Sequence, residues 1–203
     1  MSKTLIVIIL DKSLSMKTRK EEVVSAYNEL IENQKTLKND SARLALITFN
    51  DKIHLTQQPT DLNNIKLLTI DNYDCSGFTA LYDAIVYGIK VADEVQLPDE
   101  QVIMSIITDG ENNASRKYNY EKVKKKILTR QRYHNFTFLY IGEDIDKYIN
   151  DGIFSPQNSK SFDVTDGSSN LQFASNAMTR LRSEKNLCQR NIWDDNYVSN
   201  NWN

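Results

Sequence analysis

The chain has 203 residues, a length that fits a single domain, with 25 lysine and arginine residues against 27 aspartate and glutamate residues. The net charge of −2 provides no overall basic field for a nucleic-acid backbone, so no nucleic-acid partner is expected. No apolar stretch approaches the roughly 20 residues that cross a bilayer, and two cysteines are too few for a disulfide framework. Because no signal-peptide pattern precedes the first apolar run, we expect a cytoplasmic protein without membrane contact.

Short runs rich in β-branched and aromatic residues alternate along the chain with segments of helical period. The predicted strands lie at 5–10, 44–49, 102–107 and 136–141, with an antiparallel hairpin strand at 53–56 and a weaker strand at 161–164. Apolar residues on one face predict helices at 23–31, 81–89, 120–132 and 171–181. This alternation predicts an α/β fold, a doubly wound and mostly parallel sheet with one antiparallel edge strand and helices on both faces.

Three segments of this predicted fold carry small side chains with oxygen atoms. The first strand ends in Asp11-Lys12-Ser13-Leu14-Ser15, the strand at 102–107 ends in Thr108-Asp109-Gly110, and Thr79 stands just before a predicted helix. In a doubly wound topology these two strands are neighbours, which places Asp11 and Asp109 about 5 Å apart in backbone terms. Two carboxylates at that distance repel each other unless a cation lies between them. The pattern therefore predicts a hard-cation site for Mg²⁺ or Mn²⁺, with five candidate residues: Asp11, Ser13, Ser15, Thr79 and Asp109.

In this order and spacing the five residues resemble the metal-ion-dependent adhesion site of the von Willebrand factor type A domain, written Asp-x-Ser-x-Ser, then a distant Thr and a distant Asp. Residues 77–84 are similar to the family's threonine loop, and residues 108–112 to its fourth-strand end. The resemblance implies that Ser13, Ser15 and Thr79 bind the metal. It also implies that Asp11 and Asp109 either ligate the ion or hold its waters, and that an Asp or Glu of a protein partner completes the shell.

One departure from the family pattern is Phe78, where a small residue is common. Its ring either narrows the approach to Thr79 or offers an apolar contact to a partner. Residues 140–146 and 162–165 are similar to single-domain intracellular bacterial and phage members of the family. A shift to an Asn-rich composition with few aliphatic residues predicts a domain at residues 1–187 followed by a polar tail at 188–203.

The tail holds both tryptophans of the chain, Trp193 and Trp202. Two aromatic anchors in a polar peptide are typical of a docking segment. A latch onto the chain's own domain and a frayed end are equally consistent with the sequence.

Two functions from different classes are compatible with these residues. The first is a non-catalytic interaction module, an adaptor or scaffold that grips an acidic side chain of a protein partner through Mg²⁺. The alternative is a Mg²⁺-dependent phosphatase or phosphotransferase similar to the haloacid-dehalogenase class, with Asp11 as the nucleophile. That class has a general-acid aspartate two residues further on, where this chain has Ser13. The sequence therefore favours a protein that is not an enzyme.

Overall fold

A computed structural model describes residues 2–37, 40–133 and 135–188, so Trp193 and Trp202 lie outside the described residues. The described strands are β1 Ser2–Asp11, β2 Asp40–Phe49, β3 Ile53–Asp61, β4 Glu100–Ile107, β5 Phe136–Gly142 and β6 Ser159–Ser161. They form one six-stranded sheet in the order β3-β2-β1-β4-β5-β6. All neighbouring strands are parallel except β2 and β3, which are antiparallel. This topology confirms the predicted fold class.

Helices cover both faces of the sheet. They are α1 Lys20–Lys35, α2 Leu81–Val95, α3 Tyr120–Gln131, α4 Ile145–Asn150 and α5 Gly167–Cys188, with short 3₁₀ helices at Leu14–Arg19, Leu62–Asn64 and Pro156–Asn158. Among the described residues, no helix combines the length and the apolar character needed to cross a membrane.

The central strand β1 explains why its sequence is a continuous apolar run. Residues 5–10 are all fully buried, because successive side chains point to opposite faces and both faces are covered. Ile6, Ile8 and Leu10 pack in the cluster that contains α1 and α5. Leu5, Val7 and Ile9 pack in the cluster that contains α2 and α3. A polar residue is therefore accommodated only where β1 ends, at Asp11.

The edge of the fold departs from the sequence prediction in two places. The weak strand predicted at 161–164 is β6 at Ser159–Ser161. It ends early because the Asp163 carboxylate accepts hydrogen bonds from the backbone nitrogens of Thr165, at 2.8 Å, and Asp166, at 3.1 Å, which turns the chain. The short helix α4 was not predicted, since it is six residues long and buries only Tyr148.

The register of the central strands positions the candidate site. Leu10 of β1 lies opposite Ile107 of β4, so Asp11 and the Thr108-Asp109 pair leave the sheet side by side at its carboxyl edge. The two neighbours of β1 are β2 and β4, so the winding of the chain reverses at β1. In doubly wound sheets such a reversal opens a crevice beyond the carboxyl ends of the strands.

Candidate metal centre

Asp11 is a buried carboxylate whose two oxygens are both engaged by the protein. Its Oδ1 accepts a hydrogen bond from the backbone nitrogen of Ser13 at 2.6 Å, and its Oδ2 accepts one from the Thr108 hydroxyl at 2.6 Å. The Tyr73 hydroxyl donates to the backbone carbonyl of Asp11 and so fixes the end of β1. Burial raises the pKa of Asp11 to about 6, although the hydrogen bonds from Thr108 and Ser13 act in the opposite direction. The ionised form of Asp11 is therefore poorly stabilised by its protein surroundings.

Ser13, Ser15 and Asp109 form a connected row of oxygen atoms. The hydroxyls of Ser13 and Ser15 are 3.1 Å apart, and the Ser15 hydroxyl donates to Asp109 Oδ1 at 2.6 Å. The tight 3₁₀ helix that begins at Leu14 brings the two serines together. Ser13 and Asp109 are buried, whereas Ser15 is exposed, so one side of the row is open to solvent.

Thr79 lies beside Asp109 on the neighbouring loop. Its backbone nitrogen donates to the Asn113 side chain at 2.8 Å, and its carbonyl accepts from the backbone nitrogen of Asn113 at 3.0 Å. A Cβ placed on Gly110 would be 3.6 Å from Thr79 Oγ1, so the hydroxyl faces the backbone that follows Asp109. Within the described residues this hydroxyl makes no hydrogen bond, and since it is not one of the fully buried polar atoms without a partner, it reaches solvent although Thr79 is only 3% exposed. The structure thus brings all five predicted residues to one place and leaves a hydroxyl there without a partner.

Arg19 adds a positive charge that the sequence analysis did not predict. Its guanidinium nitrogen NH1 lies 3.2 Å from Asp109 Oδ2, and its Nε donates to the backbone carbonyl of Val164 at 3.1 Å. The same guanidinium lies over the ring of Phe162, 5.9 Å from the ring centroid. Arg19 and Asp109 are 90 residues apart in the chain. Hydrophobic periodicity carries no signal for such a contact, so no sequence pattern indicated it.

A tight turn holds the threonine loop against the Asp11 loop. Gly77 has a φ of +74°, which favours glycine, and a Cβ at this position would collide with the Asp51 side chain. The carbonyl of Gly77 accepts from the backbone nitrogen of Leu14 at 3.1 Å. Asn50 secures the other side of the turn, since its side-chain amide donates to the Ser76 carbonyl at 2.7 Å. Asn50 and Asn113 are thus positioning residues that the sequence analysis missed.

Asp83 supports the site from a second direction. Asp83 lies in the first turn of α2, where an acidic side chain is favourable. Its carboxylate nevertheless accepts hydrogen bonds from the backbone nitrogens of residues 116–118, at distances from 2.9 to 3.3 Å. It therefore anchors the long loop that follows Asp109 and contains Asn113.

The donor set fits a hard divalent cation. Among the described residues no group of three or more His, Cys, Asp or Glu side chains is placed to hold a metal. The cluster described above is of another kind, with three hydroxyls and two carboxylates. Such oxygen donors suit Mg²⁺ or Mn²⁺, which prefer oxygen ligands and readily keep bound waters. The partnerless Thr79 hydroxyl and the buried charge of Asp11 are the two features that a cation would stabilise.

Fold and site together define a doubly wound α/β domain with a cluster of oxygen side chains at the carboxyl edge of its central strands. The sequence profile of the von Willebrand factor type A domain matches residues 6–111, slightly more than half of the 203 residues. The chain therefore belongs to the von Willebrand factor type A domain family, and all five predicted site residues lie inside the matched segment. No curated protein matches the sequence.

Solved structures show the same fold at low sequence identity. The D319A mutant of the PilB minor pilin from Streptococcus sanguinis is 11% identical with a TM-score of 0.63, over 92% of this chain and 63% of that chain. BatB from Bacteroides thetaiotaomicron is 15% identical with a TM-score of 0.60, over 89% of this chain and 99% of that chain. Proximal thread matrix protein 1 from the mussel byssus, solved with a zinc-occupied adhesion-site motif, is 14% identical with a TM-score of 0.60, over 89% of this chain and 46% of that chain. The chain spans less than two thirds of the length of the first structures it matches.

Proposed function

We propose that the chain is a metal-dependent protein-binding module in which Ser13, Ser15 and Thr79 hold Mg²⁺ and a partner's Asp or Glu completes the metal shell. Von Willebrand factor type A domains are a family of protein-interaction modules, and at least one structural neighbour carries a metal at the equivalent motif. The observation that carries the proposal is the row of Ser13, Ser15 and Asp109 oxygens beside a Thr79 hydroxyl without a partner.

The contacts suggest a division of roles between the two aspartates. Asp11 uses both carboxylate oxygens on Ser13 and Thr108, so in this proposal it orients Ser13 and supplies negative charge from behind. Asp109 belongs to the row of oxygen atoms itself, because its Oδ1 accepts a hydrogen bond from the Ser15 hydroxyl. Bound Mg²⁺ would lower the cost of ionising Asp11 and would act as a Lewis acid toward an incoming carboxylate.

The charges around the site favour an anionic ligand. Of the groups in direct contact with the row, two carboxylates, Asp11 and Asp109, face one guanidinium, Arg19, so these innermost groups carry one net negative charge, and Glu143 interacts with Asp109 from further away. A divalent cation reverses that sign and leaves a net positive centre at an open edge of the sheet. A carboxylate from another molecule is then attracted to this positive centre. The similarity of residues 140–146 and 162–165 to intracellular bacterial and phage members supports an adaptor or scaffold role inside a cell.

The phosphatase alternative has no supporting observation in the described residues. Asp11 is fully buried, and both of its carboxylate oxygens accept hydrogen bonds. Attack on a phosphoryl group would require it to give up one of those bonds and to become accessible. Ser13 also remains where the alternative needs a general acid.

The proposal is tested by calorimetric titration of the protein with Mg²⁺ and with Mn²⁺. Thr79→Val keeps the shape of the side chain and removes the hydroxyl, so we expect metal affinity to fall at least about tenfold with little loss of stability. The matched control is Thr129→Val, on the exposed face of α3. Pull-downs with wild type and Thr79→Val, each in Mg²⁺ and in EDTA, then test partner binding. Unchanged metal affinity in Thr79→Val, or equal partner retention in EDTA, would overturn the proposal.

A further inference from the structure

Exposed apolar side chains surround the candidate metal centre. Phe78, Leu14 and Val164 are 68%, 59% and 54% exposed, and the first two are the most exposed large apolar residues in the described part of the chain. We call these three residues the apolar rim. Exposed apolar groups beside a charged centre are typical of a protein-interaction site.

Each member of the apolar rim is tied to the site by its neighbours. Leu14 lies between Ser13 and Ser15, and its backbone nitrogen donates to Gly77, the residue before Phe78. Val164 holds Arg19, which in turn contacts Asp109. A ligand of the metal that also contacts the apolar rim carries a carboxylate with bulky apolar side chains close to it in space, as a short peptide does when these residues are neighbours in sequence.

The chain itself contains a segment with this chemistry. Residues 192–198, which we call the tail motif, read Ile-Trp-Asp-Asp-Asn-Tyr-Val and lie outside the described residues. Asp194 and Asp195 are adjacent acids, preceded directly by Trp193 and followed two residues later by Tyr197. The tail motif thus combines the carboxylate that the metal requires with the aromatic surface that the apolar rim offers.

The length of α5 determines whether the tail motif can reach the metal centre of its own chain or only the metal centre of another molecule. α5 begins at Gly167, three residues after Val164, and its 22 residues extend about 33 Å away from the site. Near its far end the Arg182 guanidinium donates to the Gln34 carbonyl at 2.8 Å, at the end of α1 that lies away from the site. From Cys188, a fully extended chain carries Asp195 at most about 25 Å. A carboxylate of the same chain's tail motif therefore falls short of the metal centre.

We propose that the tail motif of one copy docks on the metal centre of a second copy. The carboxylate of Asp194 or Asp195 completes the Mg²⁺ shell, and Trp193 packs on the apolar rim. This inference rests on the metal-dependent binding proposed above and names its ligand. The contact joins two different surfaces, so it is head-to-tail and builds either a closed ring or an open chain of subunits.

Tryptophan fluorescence tests the inference in the intact chain, because the only two tryptophans are in the tail. In a Trp202→Phe background, Trp193 is the sole reporter. We expect Mg²⁺ to shift its emission to shorter wavelength, in step with self-association measured by sedimentation velocity, and EDTA to reverse both. The double variant Asp194→Asn with Asp195→Asn should lose both responses and still bind Mg²⁺ by calorimetry. Phe78→Ala should weaken self-association about tenfold, whereas Tyr133→Ala, a control of 55% exposure, should not.

The outcomes separate this inference from the function on which it rests. Mg²⁺ binding without a Trp193 response overturns the inference and leaves the proposed function intact. A Trp193 response in a protein that stays monomeric at all concentrations means that the tail docks on its own domain, which contradicts the reach argument. Self-association that persists in EDTA or in the double variant uses another surface and also overturns the inference. If the wild-type protein binds no Mg²⁺, both proposals fail.

Discussion

Replacing Asp11 with asparagine is expected to stabilise the metal-free protein at neutral pH. Asp11 is fully buried, and burial raises its pKa from 3.8 to about 6. At about 1.36 kcal/mol per pH unit, a difference of about 2 units means that keeping Asp11 ionised costs the folded state about 3 kcal/mol. The uncharged amide removes this cost, so we expect Asp11→Asn to raise the free energy of unfolding by about 1 to 3 kcal/mol in EDTA at pH 7.5.

The local hydrogen bonds accommodate the substitution. The side-chain oxygen of asparagine keeps the hydrogen bond from the Ser13 backbone nitrogen, and its amide nitrogen takes the place of Oδ2. The Thr108 hydroxyl then accepts from that nitrogen and turns its own hydrogen to the Gly110 carbonyl, which is already 3.1 Å away. The second hydrogen of the new amide gains no acceptor from these rearrangements, and its burial offsets part of the gain from removing the charge.

The pH dependence gives the sign of the effect independently. Below about pH 4, Asp11 is protonated in both the folded and the unfolded chain and contributes no difference. Between about pH 4 and 6 the folded chain binds the proton more tightly, so wild-type stability falls as pH rises and then levels off. The variant lacks this slope. Its advantage should therefore be small at pH 4 and nearly complete at pH 7.5.

Urea unfolding in EDTA and in Mg²⁺, at pH 4 and at pH 7.5, measures these differences. Mg²⁺ should stabilise wild type much more than Asp11→Asn, because the variant no longer supplies the buried negative charge that the cation needs. Asp71→Asn, at an exposed position, controls for the change in net charge. The reasoning is refuted if Asp11→Asn is less stable than wild type in EDTA at pH 7.5, or if Mg²⁺ stabilises both proteins equally.

Three further substitutions test the surroundings of the site. Arg19→Gln removes the positive charge that competes with a metal for Asp109. Calorimetry should therefore show that the variant binds Mg²⁺ about fivefold more tightly than wild type. Weaker binding would mean that Arg19 chiefly holds Asp109 in place. Gly77→Ala should lower the free energy of unfolding by about 1 to 3 kcal/mol, because the new Cβ collides with Asp51 and because alanine is strained at a positive φ. Adding Asp51→Ala to the same chain should remove the collision and recover that part of the loss, while the part due to the positive φ remains. Asp83→Asn should lower the free energy of unfolding, measured in urea, by about 1 to 2 kcal/mol, because the amide binds the backbone nitrogens of residues 116–118 more weakly. If the free energy of Mg²⁺ binding changes more than the free energy of unfolding, Asp83 does more than support the loop.

The parts of the site that follow strand ends were predictable from the sequence. Apolar runs bounded by polar residues located β1 and β4, and the topology of doubly wound folds made them neighbours. Asp11 and Asp109 then had to meet at one edge. Ser13 and Ser15 followed because they lie within four residues of Asp11, where the chain turns into a helix. These positions could be predicted because local sequence and global topology point to the same edge, whereas the metal binding of the residues stays a prediction.

The parts that depend on single long-range contacts were not predictable. The contacts of Arg19 with Asp109 and of Asp83 with residues 116–118 join segments whose separation has no periodic signature. The same is true of Asn50, whose side chain holds the threonine loop from 26 residues away. Asn and Asp are common in turns for local reasons, so their presence in a loop does not reveal which distant backbone they bind.

Most polar groups of the site are stabilised by hydrogen-bond or ion-pair partners within the protein, and two groups are less well stabilised. A bound metal ion would stabilise both of these groups. Asp109 has Ser15 on one oxygen and Arg19 on the other, and Ser13 has Ser15. What remains is the poorly stabilised charge of Asp11 and the hydroxyl of Thr79, which makes no hydrogen bond within the part of the chain that the structure describes. A neutral ligand would stabilise the hydroxyl but not the charge, and a cation stabilises both. Because Arg19 occupies Oδ2 of Asp109, the proposed cation would approach the row of oxygen atoms from the exposed side of Ser15, whose hydroxyl contacts Oδ1.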